Sequence, residues 1–458
     1  MIKTGKDRFF LLAIVLLHLG YFIWQIIHGN YFLRDSYEYL HAAANLKSDF
    51  LLYSGEITKP IIPELFTRRP PIYPLFLAVC QLISPSMVLV ILLQNILSIA
   101  GIILVRKIIL NYGYSDKYDI LFIVLLLLTP AQFIYANMIM SDTLFQFFII
   151  LLVWFFIKYM NEKRYLYGFL YAIALALSVL TKPVFVYFIF LNVLFFIWIS
   201  IKRVTLKPLL LSLIPLILLF TYQYRNYRQT GVFEVSSIVT ANVLDFNINF
   251  FLAQTKGMKT ADSTISAIDS ISALQGTYKE KVAFKKQHTI TVIKQQPGRF
   301  FIYHTKGVAG FFLDPGRFDL VNFFNLNAEK TNGLLYLINQ VGLKGALEFL
   351  LKHAFLLLLC LAIIFIFNIL KFLLLIGFIF QRHINKYLKW FILFLIFYVA
   401  FLTGPLGVAR YMMPLAPLYI GCGLIFLSHI FNQNSENGWK YILHGLFLKY
   451  PKKKSIEE

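Results

Sequence analysis

Charge and cysteine are both scarce in this chain of 458 residues. Only 14% of the residues are charged, whereas 59% are hydrophobic. A soluble chain of this length needs far more charge to cover its surface, so the composition excludes an ordinary soluble protein. The three cysteines, Cys80, Cys360 and Cys422, lie in apolar stretches, and their spacing indicates neither a disulfide nor a metal site.

Several catalytic motifs are absent as well. The sequence has no Walker A loop, no G-x-G-x-x-G opening a helix, no H-E-x-x-H and no zinc-type spacing of cysteine and histidine. These absences argue against a nucleotide-driven pump and an intramembrane zinc protease. No inverted repeat with matched broken helices is evident, which weakens a transporter interpretation without removing it.

Long contiguous apolar runs dominate what is present. Crossing ~30 Å of hydrocarbon takes about 20 apolar residues in a helix. The runs predict an all-α polytopic membrane protein with about ten transmembrane helices, near 9–27, 86–105, 120–137, 142–160, 165–181, 183–201, 207–224, 353–380, 388–404 and 410–431. A shorter run, 72–83, follows two prolines and is predicted to be an interfacial helix.

The positive charges predict an orientation in the membrane. The formal net charge is +21, and most Lys and Arg fall in turns that share one side if 72–83 does not cross. Because Lys and Arg concentrate in cytoplasmic loops, both termini are predicted to be cytoplasmic. The same charge in a soluble protein would suggest nucleic acid, but here no nucleic acid partner is expected.

This topology divides the chain into four predicted parts. An N-terminal transmembrane module, 1–224, contains a first outer loop, 28–71. A small extracytoplasmic domain is expected over 225–352, followed by C-terminal transmembrane helices, 353–431, and a basic cytoplasmic tail, 432–458.

Unexpected charges collect at the outer border of the predicted membrane. Lys182 and Arg410 stand in short outer turns, where Lys and Arg are least expected. The same border holds Arg34, Asp35, Glu38, Arg68, Arg69, Asn137, Asp142, Arg225, Asn226 and Arg228. Taken singly, each charge can be a snorkelling side chain or an interfacial anchor, and Asp35 and Asp142 can be helix caps.

Together, these residue types suit one kind of chemistry. Arg and Lys can hold a phosphate, and a nearby carboxylate can accept a proton from an attacking hydroxyl or amine. Fixed positive charge would then stabilise a departing phosphate. The pattern therefore indicates transfer of a group from a lipid phosphate at the outer face of the membrane.

In this order, the motifs resemble those of the GT-C superfamily of membrane glycosyltransferases. The likeness is to glycosyltransferase family 39 and its bacterial relatives, the protein mannosyltransferases and the aminoarabinose transferases. It covers roughly residues 9–240 and the last span, through LRDSYEYL, RRPPIYPLF, SDTLF, LTKP and the R-Y-x-x-P pattern at Arg410. The segment 225–352 resembles no family that we can name.

The resemblance implies a role for each matching residue. Asp35 would be the catalytic base, and the turn lysine Lys182 would bind the donor phosphate. By the same resemblance, Arg69, Tyr73, Asp142 and Arg410 belong to the site. From the residues themselves we expect Arg69, Arg225 and Arg410 to contact the phosphate, with supporting roles for Glu38, Tyr73 and Asp142.

Two positions depart from the family pattern. Glu38 stands where the aminoarabinose transferases keep an arginine, and Arg68 stands where they keep an acidic residue. The sugar, the acceptor and any divalent metal are therefore left open, and no cofactor is assigned.

The sequence thus predicts a glycosyltransferase of the inner (plasma) membrane, acting on the extracytoplasmic side. It would use a polyprenyl-phosphate-linked sugar and an extracytoplasmic acceptor, which could be a lipid, a polysaccharide or a protein. The alternatives are a transporter or flippase of lipid-linked glycans and a structural or assembly protein.

Overall fold

The computed structural model describes residues 4–326, 355–382 and 384–433, with isolated positions at 342, 344, 345 and 348. Most of the predicted tail, 434–458, and part of the predicted domain 225–352 lie outside these ranges. The described chain is helical and contains no strand.

Ten α-helices, of which four carry predicted site residues, lie in the first half of the described chain. They are α1 (Gly5–His28), α2 (Arg34–Asp49), α3 (Ile72–Ile83), α4 (Met87–Leu110), α5 (Asp119–Leu127), α6 (Ala131–Ile134), α7 (Asp142–Glu162), α8 (Tyr165–Val179), α9 (Val186–Arg203) and α10 (Lys207–Thr230).

The second half begins with shorter helices and returns to long ones. They are α11 (Ile238–Ala241), α12 (Asn249–Lys256), α13 (Met258–Ala273), α14 (Tyr278–Gln295), α15 (Pro297–Leu313), α16 (Arg317–Phe323), α17 (Phe355–Ile379), α18 (Lys386–Thr403), α19 (Ala409–Met412) and α20 (Ala416–Gln433). A π-helical turn, Asn242–Ile248, joins α11 to α12.

Eight helical segments in the described ranges are long and apolar enough to cross a membrane. They are Gly5–His28, Met87–Leu110, Asp142–Glu162, Pro183–Lys202, Lys207–Thr230, Phe355–Ile379, Lys386–Leu406 and Ala409–Phe431. The prediction of a polytopic α-helical membrane protein is thereby confirmed. We call the end of this bundle where α2 lies the α2 end, and the end where α1 begins the N-terminal end.

The run 120–137 differs from the single straight helix expected. Its two halves, Asp116–Leu127 and Ala131–Asn137, meet at an angle of 75°. Pro130 has no N–H to continue the helix, so the last carbonyls of α5 need other donors. Lys371 of α17 supplies one, since its Nζ lies 3.1 Å from Leu128 O and 2.8 Å from Thr129 Oγ1.

Two other predicted membrane elements are short. The helix α8 has 15 residues and α3 has 12, both below the roughly 20 residues of a full crossing. Ten crossings therefore require the bent pair and α8 to count as spans, and the interfacial position of α3 stays a prediction.

Hydrogen bonds from amide side chains hold the backbone between the bend at Pro130 and the start of α7. Gln94 Nε2 donates to the carbonyls of Ala136 and Met138, at 3.2 and 2.8 Å. Gln132 and Gln146 exchange two hydrogen bonds, and Gln146 also donates to Met413 O at 2.8 Å. This interior network holds the start of α7 close to the segment around Arg410.

The chain from α11 to α14 has an apolar core of its own. Its buried members are Leu244, Ile248, Leu252, Ala261, Ile265 and Ile268. The following helix, α15, instead lies against the turn between α18 and α19. There Gly307 contacts the backbone of Gly404 so closely that a Cβ on Gly307 would clash with it. This contact braces the turn that leads into α19, where Arg410 lies.

Candidate functional site

The first two turns of α2 present two carboxylates on one side of the helix. Asp35 and Glu38 are three residues apart, which places them on adjacent turns of one face. Asp35 is not the helix cap, because the cap residue is Leu33, whose N–H donates to Ser36 Oγ at 2.9 Å. The Asp35 carboxylate is therefore available for other partners.

Arg69 joins these two carboxylates. Its Nη2 lies 2.9 Å from Asp35 Oδ1 and 2.6 Å from Glu38 Oε2. The guanidinium is buried and lies 4.7 Å from the ring centroid of Tyr39, a cation–π contact. Arg68 also binds Glu38, with Nε 3.3 Å from both carboxylate oxygens, and is paired with Glu64 as well.

A second carboxylate centre lies at the start of α7. Asp142 is fully buried and is 2.6 Å from Lys182 Nζ, in the turn before α9. Arg410 Nη2 bridges the two centres, at 3.5 Å from Asp142 Oδ2 and 3.3 Å from Asp35 Oδ2. Six side chains thus form one chain of ion pairs, which we call the Asp35 cluster: Asp35, Glu38, Arg69, Asp142, Lys182 and Arg410.

The Asp35 cluster is closed on one side and open on the other. Its three carboxylates and three cations balance formally. Asp142 has no exposed area, whereas the side chains of Asp35 and Arg410 are 32% and 22% exposed. Glu38 is 24% exposed, so a ligand approaching from outside would meet Asp35, Glu38 and Arg410 before it met Asp142.

The cations control the protonation of Asp35. Burial by itself would raise the pKa of this carboxyl, but the charges of Arg69 and Arg410 outweigh it and lower the pKa to about 2. Asp35 is therefore ionised at any physiological pH, and it becomes a stronger base only if one of the two cations is drawn away.

Two predicted residues lie outside the cluster. Arg225 donates to the carbonyls of Phe66 and Leu52, each at 2.6 Å, and so braces the loop 51–66. Tyr73 is buried beneath the cluster, where its hydroxyl donates to Gln94 Oε1 at 2.7 Å and its ring contacts Tyr39 edge-on. The structure brings the other six predicted residues together.

The sequence analysis did not identify three residues that lie behind Arg410: Tyr135, Asp314 and Asp319. The guanidinium lies 5.5 Å from the ring centroid of Tyr135, whose hydroxyl donates to Asp319 Oδ1 at 2.6 Å. Burial raises the pKa of Asp319 to about 7. Nearby, Asp314 Oδ2 accepts from Ala409 N at 2.7 Å and so holds the start of α19. The available signal was the D-P-G-R-F-D sequence, which places two acids around a turn at the end of an apolar helix.

The site residues do not fit a divalent metal. Within the described ranges, no group of three or more His, Cys, Asp and Glu side chains is placed to hold a metal ion. In the Asp35 cluster each carboxylate oxygen faces a cation instead, and we derive no step through a metal.

Comparison of the chain with family models, with curated proteins and with solved structures found no significant match. The motif resemblance and the site geometry are therefore the grounds for the functional argument.

Proposed function

We propose that this protein is a membrane glycosyltransferase that moves a sugar from a polyprenyl-phosphate donor to an acceptor outside the cytoplasm. One observation carries the proposal: Asp35 and Arg410 form a loose ion pair on the partly exposed side of the Asp35 cluster, whose inner carboxylate, Asp142, is fully buried. A base and a phosphate-binding cation are thus neighbours where a ligand could reach the cluster. The ordered GT-C-like motifs support the same reaction class.

Arg410 is the cation best suited to capture the donor phosphate. Its contacts with Asp35 and Asp142, at 3.3 and 3.5 Å, are the longest in the Asp35 cluster. If Arg410 turned to the phosphate, Asp142 would keep Lys182 at 2.6 Å and Asp35 would keep Arg69 at 2.9 Å. No buried carboxylate would lose all of its cations, so the exchange would have a small free-energy cost.

This exchange would also activate the base. Asp35 would lose one of the two cations that lower its pKa, so its affinity for a proton would rise when the donor is bound. Donor binding and activation of the acceptor would then be coupled through one ion pair.

The proposed reaction is a direct displacement at the anomeric carbon of the sugar. The acceptor oxygen or nitrogen forms a bond to that carbon and gives its proton to Asp35. The bond from the carbon to the phosphate oxygen breaks, and its electron pair leaves with the polyprenyl phosphate. Arg410 and Lys182 would stabilise the negative charge on that leaving group.

The charge distribution supports the proposed orientation. Turns rich in Lys and Arg lie at the N-terminal end, so this end is proposed to be cytoplasmic and the α2 end extracytoplasmic. Both termini would then be cytoplasmic, the bent pair and α8 would complete ten spans, and α3 would lie at the outer interface of the plasma membrane. The described part of the predicted extracytoplasmic segment, 225–326, would help choose the acceptor.

The test is to delete the gene for this protein in its host cell and to identify the glycan or glycolipid that is lost. Reintroduced wild-type protein should restore the product, whereas Asp35→Asn should not, although it reaches the membrane in equal amount. Glu162→Gln, at the N-terminal end, is the matched control and should restore the product fully. An unchanged glycan profile, or full restoration by Asp35→Asn, would refute the proposal.

Transport of a lipid-linked glycan predicts a different result. Cysteine introduced at the Lys182 or Arg410 position would then react with membrane-impermeant reagents from both sides. The glycosyltransferase proposal predicts reaction from the extracytoplasmic side only.

A further inference from the structure

One face of α14 carries a row of unpaired positive charge. Lys279, Lys286 and Lys294 are separated by seven and eight residues, which returns each of them to about the same side of a helix. All three are exposed, and none forms an ion pair with the described residues. Lys285 differs, because it is paired with Asp269 at 2.7 Å. We call Lys279, Lys286 and Lys294 the α14 stripe.

The surrounding segment is also strongly basic. Between Ile238 and Leu313 the sequence contains nine Lys and Arg but only four Asp and Glu. The tendency of short cytoplasmic loops to collect positive charge does not account for this surplus, since long segments are exempt from that tendency. A ligand of opposite charge would account for it.

The spacing of the stripe favours an extended ligand. At 1.5 Å per residue, the three lysines stand about 10 and 12 Å apart along the helix axis. A single phosphate cannot contact cations so far apart, whereas a chain with repeated negative groups can contact all three. The stripe therefore suits a linear polyanion.

The stripe does not have the character of a membrane-surface helix. Such helices bury a broad face of bulky apolar residues in the lipid. In α14 the apolar residues Phe284, Val292 and Ile293 instead pack on the protein core beneath, and Ile290 is the one large apolar side chain exposed on the described helix. A dissolved polymer fits this face better than a bilayer.

The stripe begins beside the Asp35 cluster. Tyr278, the residue before Lys279, donates from its hydroxyl to Glu234 Oε1 at 2.9 Å. The same oxygen accepts from Thr67 Oγ1 at 3.0 Å, and Thr67 precedes Arg68 and Arg69. One shared carboxylate thus separates the first turn of α14 from the arginines around Glu38.

We propose that the α14 stripe binds a linear polymer bearing phosphate or carboxylate groups and presents its end to Asp35 as the sugar acceptor. The acceptor role rests on the proposed function, whereas polymer binding by the stripe does not. The proposal narrows the acceptor from any lipid, polysaccharide or protein to an anionic chain.

The test measures binding by the full-length protein in nanodiscs of zwitterionic lipid. Fluorescent polyphosphate, polygalacturonate and neutral dextran serve as probes, read by anisotropy. The variant Lys279→Glu, Lys286→Glu, Lys294→Glu should weaken binding of an anionic polymer by about tenfold or more at low salt, since exposed charges act through screened attraction. The control variant is Lys256→Glu, Lys259→Glu, Lys306→Glu, which changes the net charge equally at three lysines outside the stripe. Its Kd should stay within about threefold of the wild-type value.

Each outcome decides the proposal. Selective loss in the stripe variant supports it, and the preference between polyphosphate and polygalacturonate names the anionic group. Equal loss in the control or equal binding of dextran would overturn it. So would binding to vesicles of anionic phospholipid, used as a fourth probe, without binding of either anionic polymer. A polymer that binds through the stripe but receives no sugar would contradict the proposed function and leave the binding site standing.

Discussion

Each end of the bundle contains an arginine that bridges two carboxylates, yet the two arrangements differ in kind. At the N-terminal end, Arg106 binds Asp119 with two hydrogen bonds, at 3.0 and 2.7 Å, and Asp7 with a third, at 2.9 Å. Tyr114 also donates to Asp119 at 3.0 Å. At the α2 end, Arg410 reaches Asp35 and Asp142 only at 3.3 and 3.5 Å.

Exposure separates the two arrangements further. The side chains of Arg106 and Asp119 are 9% and 6% exposed, so this bidentate pair is closed, while its third partner, Asp7, is 23% exposed. Such a bidentate pair joins the beginnings of α1 and α5 to the end of α4, and its role is to hold helices. Arg410 and Asp35 are open, loosely paired and backed by further charges. Loose contacts among several partners allow an exchange with a ligand, whereas a closed bidentate pair does not.

The largest expected effect concerns the open arginine. Arg410→Gln should lower the rate of sugar transfer by about 10²- to 10³-fold, because a fixed charge facing the leaving phosphate is lost. The protein should still fold, since Asp35 keeps Arg69 and Asp142 keeps Lys182. Transfer from a radiolabelled polyprenyl-phosphate sugar, normalised to folded protein, is the measurement. Wild-type transfer by this variant would remove Arg410 from the site.

The closed arginine should respond in the opposite way. Arg106→Gln leaves Asp119 buried without a cation, which should cost about 3–5 kcal/mol of stability. Thermal unfolding in detergent should show a clear loss, while the transfer rate per folded molecule stays near wild type. If Arg106→Gln had normal stability but low activity, Arg106 would belong to the functional site rather than to a structural pair, contrary to the comparison.

A smaller effect is expected at Arg225. Arg225→Gln removes donors from the carbonyls of Leu52 and Phe66, which should cost about 1–3 kcal/mol. The KM for the donor should change little, because Arg225 does not contact the Asp35 cluster. A large rise in KM with normal thermal stability would restore the phosphate-binding role that the sequence predicts.

The last effect is a pH dependence of the stability at Asp319. Its pKa is raised to about 7 in the folded protein, so the folded state retains a proton that the unfolded state releases above about pH 4. Its contribution to stability therefore falls as the pH rises from about 4 to 7. Unfolding temperatures of wild type should decline more over this range than those of Asp319→Asn. Parallel curves would show that Asp319 does not titrate there.

Much of the architecture could be predicted from the sequence. Contiguous apolar runs located the long helices to within a few residues, because a run of that length has few ways to satisfy its backbone in lipid. The unexpected charges in the sequence also located much of the site. Lys182 and Arg410, predicted to lie in short turns, contact other charged residues of the Asp35 cluster in the structure. Their catalytic roles stay predictions.

Other features depended on packing that a local pattern does not contain. The bend at Pro130 is stabilised by Lys371, which lies more than 240 residues along the chain. Tyr135 and Asp319 meet across 184 positions. The structure also contains a hydrogen-bonded interior chain from His18 through Ser98 and Gln132, which the sequence pattern does not predict. Contacts between distant segments are not visible in spacing or composition.

Donor binding and sugar transfer, measured on the same Asp35→Asn preparation, separate the two roles proposed for the Asp35 cluster. The proposed mechanism assigns phosphate binding to the cations and proton removal to Asp35. It therefore predicts that this variant binds the polyprenyl-phosphate sugar at least as well as wild type, because Arg410 no longer has a charged competitor at Asp35, and transfers about 10²- to 10⁴-fold more slowly. Transfer at the wild-type rate, or loss of donor binding in a folded variant, would contradict it.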